Sequence, residues 1–506
     1  MLAVLSFGVL MTDIDMTVLN IALPTLVRDL HTSTAQLQWI VDVYSLVFGG
    51  LLLTTGSIAD RVGRKWVLLI GFAVFGVGSA GSAYAGGSTE LIVARAAMGL
   101  GGSMIMPATL SITTNVFHDP RERAKAIGIW SGSAGLGVAA GPLLGGWLLA
   151  HFWWGSVFLI NLPVAALSLL AAVWLVPDSR DPSAPRPDVI GSVLSIVGLG
   201  VLLWGIIEAP VEGWGSATTI GAMSCGIVAL AAFAIVEIRS DHPMLPLSFF
   251  RNRSFSAPIA SVFLVLFALS GALFMFTQYI QFVLGYSAFR TGIFIAPVSL
   301  VLFVFSPVAT VVVHRFGARL VIPAGLAVVA IGLWTSTGLH AHFSYAQMVW
   351  RFMLVGAGVG VVMAPATNMV LGAVPKERAG VGSATNSAMI QVGGALGVAV
   401  LGSILSTRYQ GRMGSVIAGY KMPDVARHAI LSSVGGALVV AQKVGGEVGA
   451  TLTRIADSSY TSGMALALLV GTFFTIAGVL VAAAFLPSGP QHPAPEAEER
   501  EPASVG

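Results

Sequence analysis

Apolar residues occur in this chain as long blocks separated by short polar connections. A helix needs about 20 mostly apolar residues to cross a bilayer. Blocks of that length lie at 3–27, 38–57, 66–85, 89–109, 125–149, 156–176, 189–208, 217–236, 256–283, 290–312, 320–339, 346–372, 380–405 and 461–485. The pattern predicts an all-α polytopic membrane protein with about fourteen transmembrane helices. The first block opens at Met1 with no basic stretch ahead of it and is long enough to span. A membrane helix is therefore expected there, not a cleavable signal peptide.

Lys and Arg are unevenly shared among the short connections. Those after even-numbered blocks hold fifteen: Arg61, Arg64, Lys65, Arg121, Arg123, Lys125, Arg180, Arg186, Arg239, Arg251, Arg253, Arg315, Arg319, Lys376 and Arg378. Those after odd-numbered blocks hold two, Arg28 and Arg290. The positive-inside rule then predicts both termini in the cytoplasm. The long connection 407–459 is expected outside. Its apolar stretch 429–441 has thirteen residues, short for a span, so a hairpin lying on the outer face is expected instead. Residues 487–506 are rich in Pro and Glu and are expected to be disordered.

The chain repeats itself. Arg61-Val62-Gly63-Arg64-Lys65 returns as Arg315-Phe316-Gly317-Ala318-Arg319, an offset of 315 − 61 = 254. Pro120-Arg121-Glu122-Arg123-Ala124 returns as Pro375-Lys376-Glu377-Arg378-Ala379, an offset of 255. Met106-Pro107-Ala108-Thr109 is echoed by Met363-Ala364-Pro365-Ala366-Thr367. Duplication of a six-helix unit follows, with a bundle over 1–180, two inserted transmembrane helices over 181–240, and a second bundle over 241–486. Two such bundles around a central cavity make up many secondary transporters.

Composition agrees and removes several alternatives. Hydrophobic residues make up 56% of the chain and charged ones 10%, where a soluble domain has about 25% charged. Sixty glycines suit close helix packing in lipid. A net charge of +3 gives no ground for a nucleic-acid partner. The single cysteine, Cys225, excludes a disulfide framework or a Cys-based metal site and is expected to be a packing residue. The nine histidines show no metal-ligand spacing, and there is no Walker loop or nucleophile elbow. No ATP engine, cofactor, metal site or enzyme chemistry is expected.

Acids inside the blocks carry the functional signal. Of 23 Asp and Glu, only Asp13, Asp15 and Asp42 lie well inside, with Glu208 at a helix end. A charge at the bilayer centre costs about 2.5–3.5 kcal/mol on insertion scales, so such residues usually face a cavity and mark an ion or substrate path. One carboxyl can hold a proton or face a cationic substrate, but does not favour both at once. Asp42 sits in WIVDVYSL, residues 39–46, and is a candidate proton and cation site; structural pairing, or reaching for the membrane interface, is the alternative. Asp13 and Asp15 are two residues apart and point to nearly opposite helix faces, so only one can face a central cavity. Arg95, in LIVARAAMGLGG, stays charged when buried and needs an anionic or carbonyl partner, with Asp15 and Asp42 as candidates.

Two glycine-bearing stretches complete the picture. GSIADRVGRK, residues 56–65, closes the second helix into a tight basic turn, in which Gly56 and Gly63 allow close approach and Asp60 can pair with arginine or cap a facing helix. GLGVAAGPLLGG, residues 135–146, puts five glycines and Pro142 in the fifth helix. Together these stretches resemble the major facilitator superfamily, and specifically its fourteen-span drug:proton antiporters of the EmrB/QacA type. Gly56, Asp60, Arg61, Gly63, Arg64 and Lys65 resemble its loop signature, a gating motif. DIDMTVLNIALP, through Asp15, Thr17, Asn20, Ala22, Leu23 and Pro24, resembles the first-helix signature. Arg95 with Gly99 resembles the fourth-helix motif whose arginine is implicated in proton transfer. Gly137, Gly141, Pro142, Gly145 and Gly146 resemble the fifth-helix antiporter signature. FWWGSVFLINLP (152–163) and PMLPLSFFRNRSF (243–255) also resemble subfamily stretches.

The resemblance implies a major facilitator fold in a bacterial inner (plasma) membrane, without cofactor, working as a monomer. It implies proton coupling through Asp15, Asp42 and Arg95, with Asp15 rather than Asp13 turned to the central cavity. Acidic residues that the QacA branch carries in its thirteenth helix are replaced here by Asn386, Ser387 and Gln391. Neutral or monocationic amphipaths therefore fit better than dications, with Asp42, Tyr44, Gln278, Gln281, Asn386 and Gln391 as substrate contacts. A proton-driven multidrug exporter is expected. An exporter dedicated to one endogenous product, such as an antibiotic, lipid or siderophore, is the nearest alternative.

Overall fold

A computed structural model describes residues 1–181, 187–240, 243–340, 343–375 and 378–487. Arg186, Lys376, Glu377 and most of the 487–506 tail therefore lie outside the described residues. Fourteen helices long and apolar enough to cross a membrane are present among them. The first six spans are α1 (Leu2–Leu30), α2 (Thr34–Val62), α3 (Arg64–Ala83), α4 (Ser88–Val116), α5 (Pro120–His151) and the pair α6 (Ser156–Leu159) and α7 (Asn161–Leu175). Then come α8 (Val189–Glu212) and α9 (Ala217–Arg239). The second set is α10 (Arg253–Gln278), α11 (Ala288–Phe316), α12 (Ala318–Ser336), α13 (Tyr345–Gly372), α14 (Ala379–Ile417) and α17 (Gly446–Phe485). A π-helical turn, Tyr279–Val283, extends α10.

The repeat seen in the sequence is also a repeat of helix ends. Ser33 caps α2 and Ser287 caps α11, an offset of 287 − 33 = 254. Each serine accepts a hydrogen bond from the backbone amide three residues on, satisfying one of the orphan donors of a helix start. Gly63 and Gly317, at the same offset, join α2 to α3 and α11 to α12 with φ of 137° and 80°. Only glycine takes that backbone region cheaply, which is why both basic turns keep it.

Outside the membrane, the structure departs from the hydropathy reading. Block 461–485 is the end of a 40-residue helix, Gly446–Phe485, and block 380–405 belongs to the 39-residue Ala379–Ile417. At 1.5 Å per residue the latter is about 58 Å long, roughly twice the hydrocarbon core. Between them lie two short helices, α15 (Asp424–Ser432) and α16 (Val434–Val444). Tyr409 of α14 donates to the Ile430 and Ser433 carbonyls at 2.9 and 3.2 Å, tying this hairpin to the long helix.

The halves meet through α2 against α14 and α5 against α11. Pro142 and Gly146 of α5 touch the backbone of Ala288, Phe289 and Gly292 on α11. On α11 the buried positions are concentrated at Thr291–Ser299, whereas most positions from Leu300 to Phe316 are exposed. α5 shows the same polarity, buried at Gly137–Leu148 and largely exposed over Arg121–Lys125. The two helices thus grip each other at one end and part toward the basic end. At the gripped end Gln281 donates to Ile21 O at 2.9 Å and Thr34 to Ser432 O at 2.9 Å, so that end is closed.

Helices α8 and α9 pack on each other and lie to one side. α8 covers the α2–α14 seam, with Leu199, Leu203 and Ile206 against Leu46, Ala395 and Ala399. Cys225 of α9 is exposed, on a helix that turns most of its surface outward, so it is not buried by packing.

Candidate functional site

The interior of the first half is built around Arg95, 1% exposed on α4. Its Nη1 forms an ion pair with Asp15 Oδ2, and its Nε donates to Ile40 O at 3.2 Å. The guanidinium carbon lies 4.4 Å from the centre of the Tyr44 ring. Asp15 Oδ1 accepts from Asn161 Nδ2 at 3.1 Å, and the same amide nitrogen lies 3.2 Å from Ser79 Oγ, which donates to Phe158 O at 2.7 Å. Five spans are thereby tied together around one buried ion pair. Breaking such a pair by removing one partner costs about 3–5 kcal/mol, because the other charge stays buried.

The partner of Arg95 is Asp15, not Asp42. This decides how α1 is turned. Asp15 is 2% exposed and enclosed by α4 and α7, instead of standing open to a central cavity as expected. Asp13, on the other face, packs its Cβ against the backbone at Gly137 of α5 and stays part-exposed. The glycines of α5 make that approach possible. A side chain at Gly137 would meet Asp13 and Leu10 O, one at Gly141 would strike Thr17, and one at Gly145 would meet Val18.

Asp42 is wholly buried, and neither carboxylate oxygen has a hydrogen-bond partner. It shares a helical stripe with Gln38, which donates to Val398 O and Ala399 O, and with Gly49, which lies against Gln391. Asp42 therefore lies in the seam between the halves, on the side of α2 facing α14. Tyr44, two residues on, points the other way. Its hydroxyl is buried without a partner, near Gly102 of α4.

The remaining expected contacts are spread out. Gln278 donates to Phe274 O of its own helix at 3.0 Å, and Gln281 is engaged in the closed end. Asn386 lies 3.4 Å from Thr367 Oγ1 with its own Oδ1 buried and unpartnered. Gln391 reaches across the halves to Met16 Sδ at 3.8 Å. A cavity between α1, α5, α10 and α11 is lined by Thr17, Asn20, Pro142, Thr277, Ser299 and Leu302, mixing apolar walls with a few polar groups. In the basic turn, Asp60 Oδ1 accepts from Arg64 Nε at 2.7 Å and from Ser111 at 3.1 Å, and Lys65 donates to Val173 O at 2.8 Å.

Sequence reasoning passed over Gln38, Ser79 and Asn161 as functional positions. Ser79 and Asn161 are polar residues inside apolar runs, the same signal that singled out Asp42, whereas Gln38 stands at the polar start of its run.

The major facilitator superfamily model matches residues 5–398. A tetracenomycin C resistance and export protein of Streptomyces glaucescens is 36% identical over 96% of this chain and 90% of that protein. A multidrug efflux pump, LfrA, of Mycolicibacterium smegmatis is 35% identical over 95% of this chain and 94% of its own length. Among solved structures, a bacterial homolog of the human lysosomal transporter Spinster, inward-facing and unoccupied, superposes with a TM-score of 0.66 at 18% identity, covering 96% of this chain and 98% of that one.

Proposed function

Because the chain belongs to the major facilitator superfamily, we propose that it is a proton-coupled multidrug efflux antiporter exporting amphipathic neutral or cationic compounds by alternating access. It is a multi-pass membrane transporter rather than an enzyme. Its bacterial relatives favour the plasma membrane, with the basic turns and both termini in the cytoplasm and the protein acting as a monomer. In that orientation the closed end faces outward, and the conformation is inward-facing. Bundles 1–180 and 241–486 rock against each other, and the inserted pair 181–240 flanks the α2–α14 seam.

One observation carries the coupling. Asp42 is fully buried, without donor or cation, in a seam that has to part for the outer end to open. A lone buried charge costs far more than a neutral, unpaired carboxyl in the same place. When the seam opens outward, water reaches Asp42 and a proton exchanges there. When it closes, the proton is carried inward in the sealed seam, and it leaves toward the cytoplasm when the Gly49–Gln391 approach below Asp42 loosens as substrate enters. Asp15 and Arg95 hold the first half rigid around this movement. Thr17, Asn20, Thr277 and Ser299 supply polar contacts in the largely apolar cavity between α1, α5, α10 and α11. The test is uptake of ethidium into inverted vesicles under an imposed pH gradient. Uptake should stop when the gradient is dissipated, and uptake that persists refutes proton coupling.

A second reading has support from one relative. The Streptomyces glaucescens protein is named for resistance to and export of a single compound. A dedicated exporter of one endogenous product would leave ethidium untransported and carry a single amphipath well.

A further inference from the structure

Gln38 stands one helical turn before Asp42 on the same face of α2, and it is fully buried. Its Nε2 donates to Val398 O and Ala399 O of α14, each at 2.9 Å, with Ser403 Oγ at 3.5 Å. These bonds cross from one half of the protein to the other. Those carbonyls already lie in a helix, so Gln38 uses their second lone pairs and asks nothing of the α14 backbone. Gly402 makes room, since a Cβ there would lie 2.6 Å from Nε2.

On the same helices, closer to the basic end, Gly49 meets Gln391. Asp42 lies between these two anchor points and is sealed above by the amide bonds and below by the close helix approach. α8 covers the lipid side through Leu199, Leu203 and Ile206.

The amide has one further property. Its Oε1 is buried and has no partner, as is that of Gln281, which also donates to a carbonyl of the other half. A buried unpaired carbonyl oxygen costs free energy that a hydrated one does not. The bond that closes the seam thus carries a built-in counterweight that is relieved on opening. An apolar pair in the same place would be favoured by burial alone, with nothing to release it.

We infer that Gln38 is the latch of the outer α2–α14 seam, and that its release is what admits water to position 42. This goes beyond the transport reading above, and its link to proton exchange rests on that reading. The latch itself does not.

The test uses the full-length protein purified in detergent, where labelling depends neither on membrane orientation nor on transport. Cys225 is exposed and is replaced by serine. Asp42→Cys then supplies a thiol at the sealed position, and a water-soluble maleimide reads its accessibility. Adding Gln38→Ala should raise the labelling rate at least tenfold. Should that variant fold poorly, Gly402→Ala displaces Nε2 by a different route and should act in the same direction. Gln410→Ala, whose amide donates to Ser406 of the same helix α14 at 3.1 Å, should leave the rate unchanged. Equal rates with and without Gln38, or an equal rise with Gln410→Ala, would overturn the latch. Loss of proton-driven uptake in Asp42→Asn bears on the coupling and not on this result.

Discussion

Replacing Asp15 with asparagine keeps the shape of the side chain and removes its charge. Arg95 would then remain 1% exposed, with Ile40 O at 3.2 Å and the Tyr44 ring face as its main remaining partners, beside weaker contacts to Met98 Sδ and the Phe158 ring. Removing one member of a buried ion pair costs about 3–5 kcal/mol. These contacts of the guanidinium survive, and a desolvated cation over an aromatic ring is worth about 2 kcal/mol. The lower end, about 3 kcal/mol, is therefore expected, a factor of roughly 150 in the ratio of folded to unfolded protein. Arg95→Gln leaves the Asp15 carboxylate with only Asn161, at 3.1 Å, and should cost a similar amount. The double variant holds two neutral amides where two charges were, so its loss should fall short of the sum by at least about 2 kcal/mol. The assay is denaturation of the four purified proteins followed by tryptophan fluorescence, for which the chain has 11 tryptophans. Single variants within about 0.5 kcal/mol of the parent, or losses that simply add, would refute the claim that this pair anchors the first half.

Two further outcomes follow from the same geometry. Asp42→Asn should abolish accumulation against a substrate gradient while leaving substrate-for-substrate counterflow, measured in proteoliposomes, within about threefold of the parent; with one proton per substrate, each pH unit otherwise supports about tenfold accumulation. Gly141→Val places a branched side chain where Thr17 already stands, so it should separate α1 from α5 and reduce the yield of folded protein in size-exclusion chromatography, whereas Gly128→Val, with open space around it, should not.

Much of the architecture was legible residue by residue. Each span must satisfy its own backbone hydrogen bonds and match the bilayer, so every apolar stretch is readable without its neighbours. The glycines at 63 and 317 and the serine caps at 33 and 287 are equally local. Water-exposed helix was harder to read. The first turns of α17 are visible to hydropathy only as a polar connection, because what stabilises them there is packing on α16, with Gly449 against Ala441.

Within the site, sequence put the right residue types at the right depth and left their partners open. Arg95 needed an anion, and both Asp15 and Asp42 were within reach along the chain. The rotation of α1 and α2 about their axes gave it Asp15 and turned Asp42 into the seam. Gln281, three residues from Gln278 in the same run, differs from it in reaching a carbonyl of the other half, as Gln38 does from α2.

By itself, then, the sequence determined how many helices cross the membrane, where they turn and which charges lie at depth, since lipid imposes those conditions on every segment separately. Which charge meets which, and which end of the two halves is closed, was decided only by tertiary structure, because helix rotation and the distance between bundles depend on contacts between segments hundreds of residues apart.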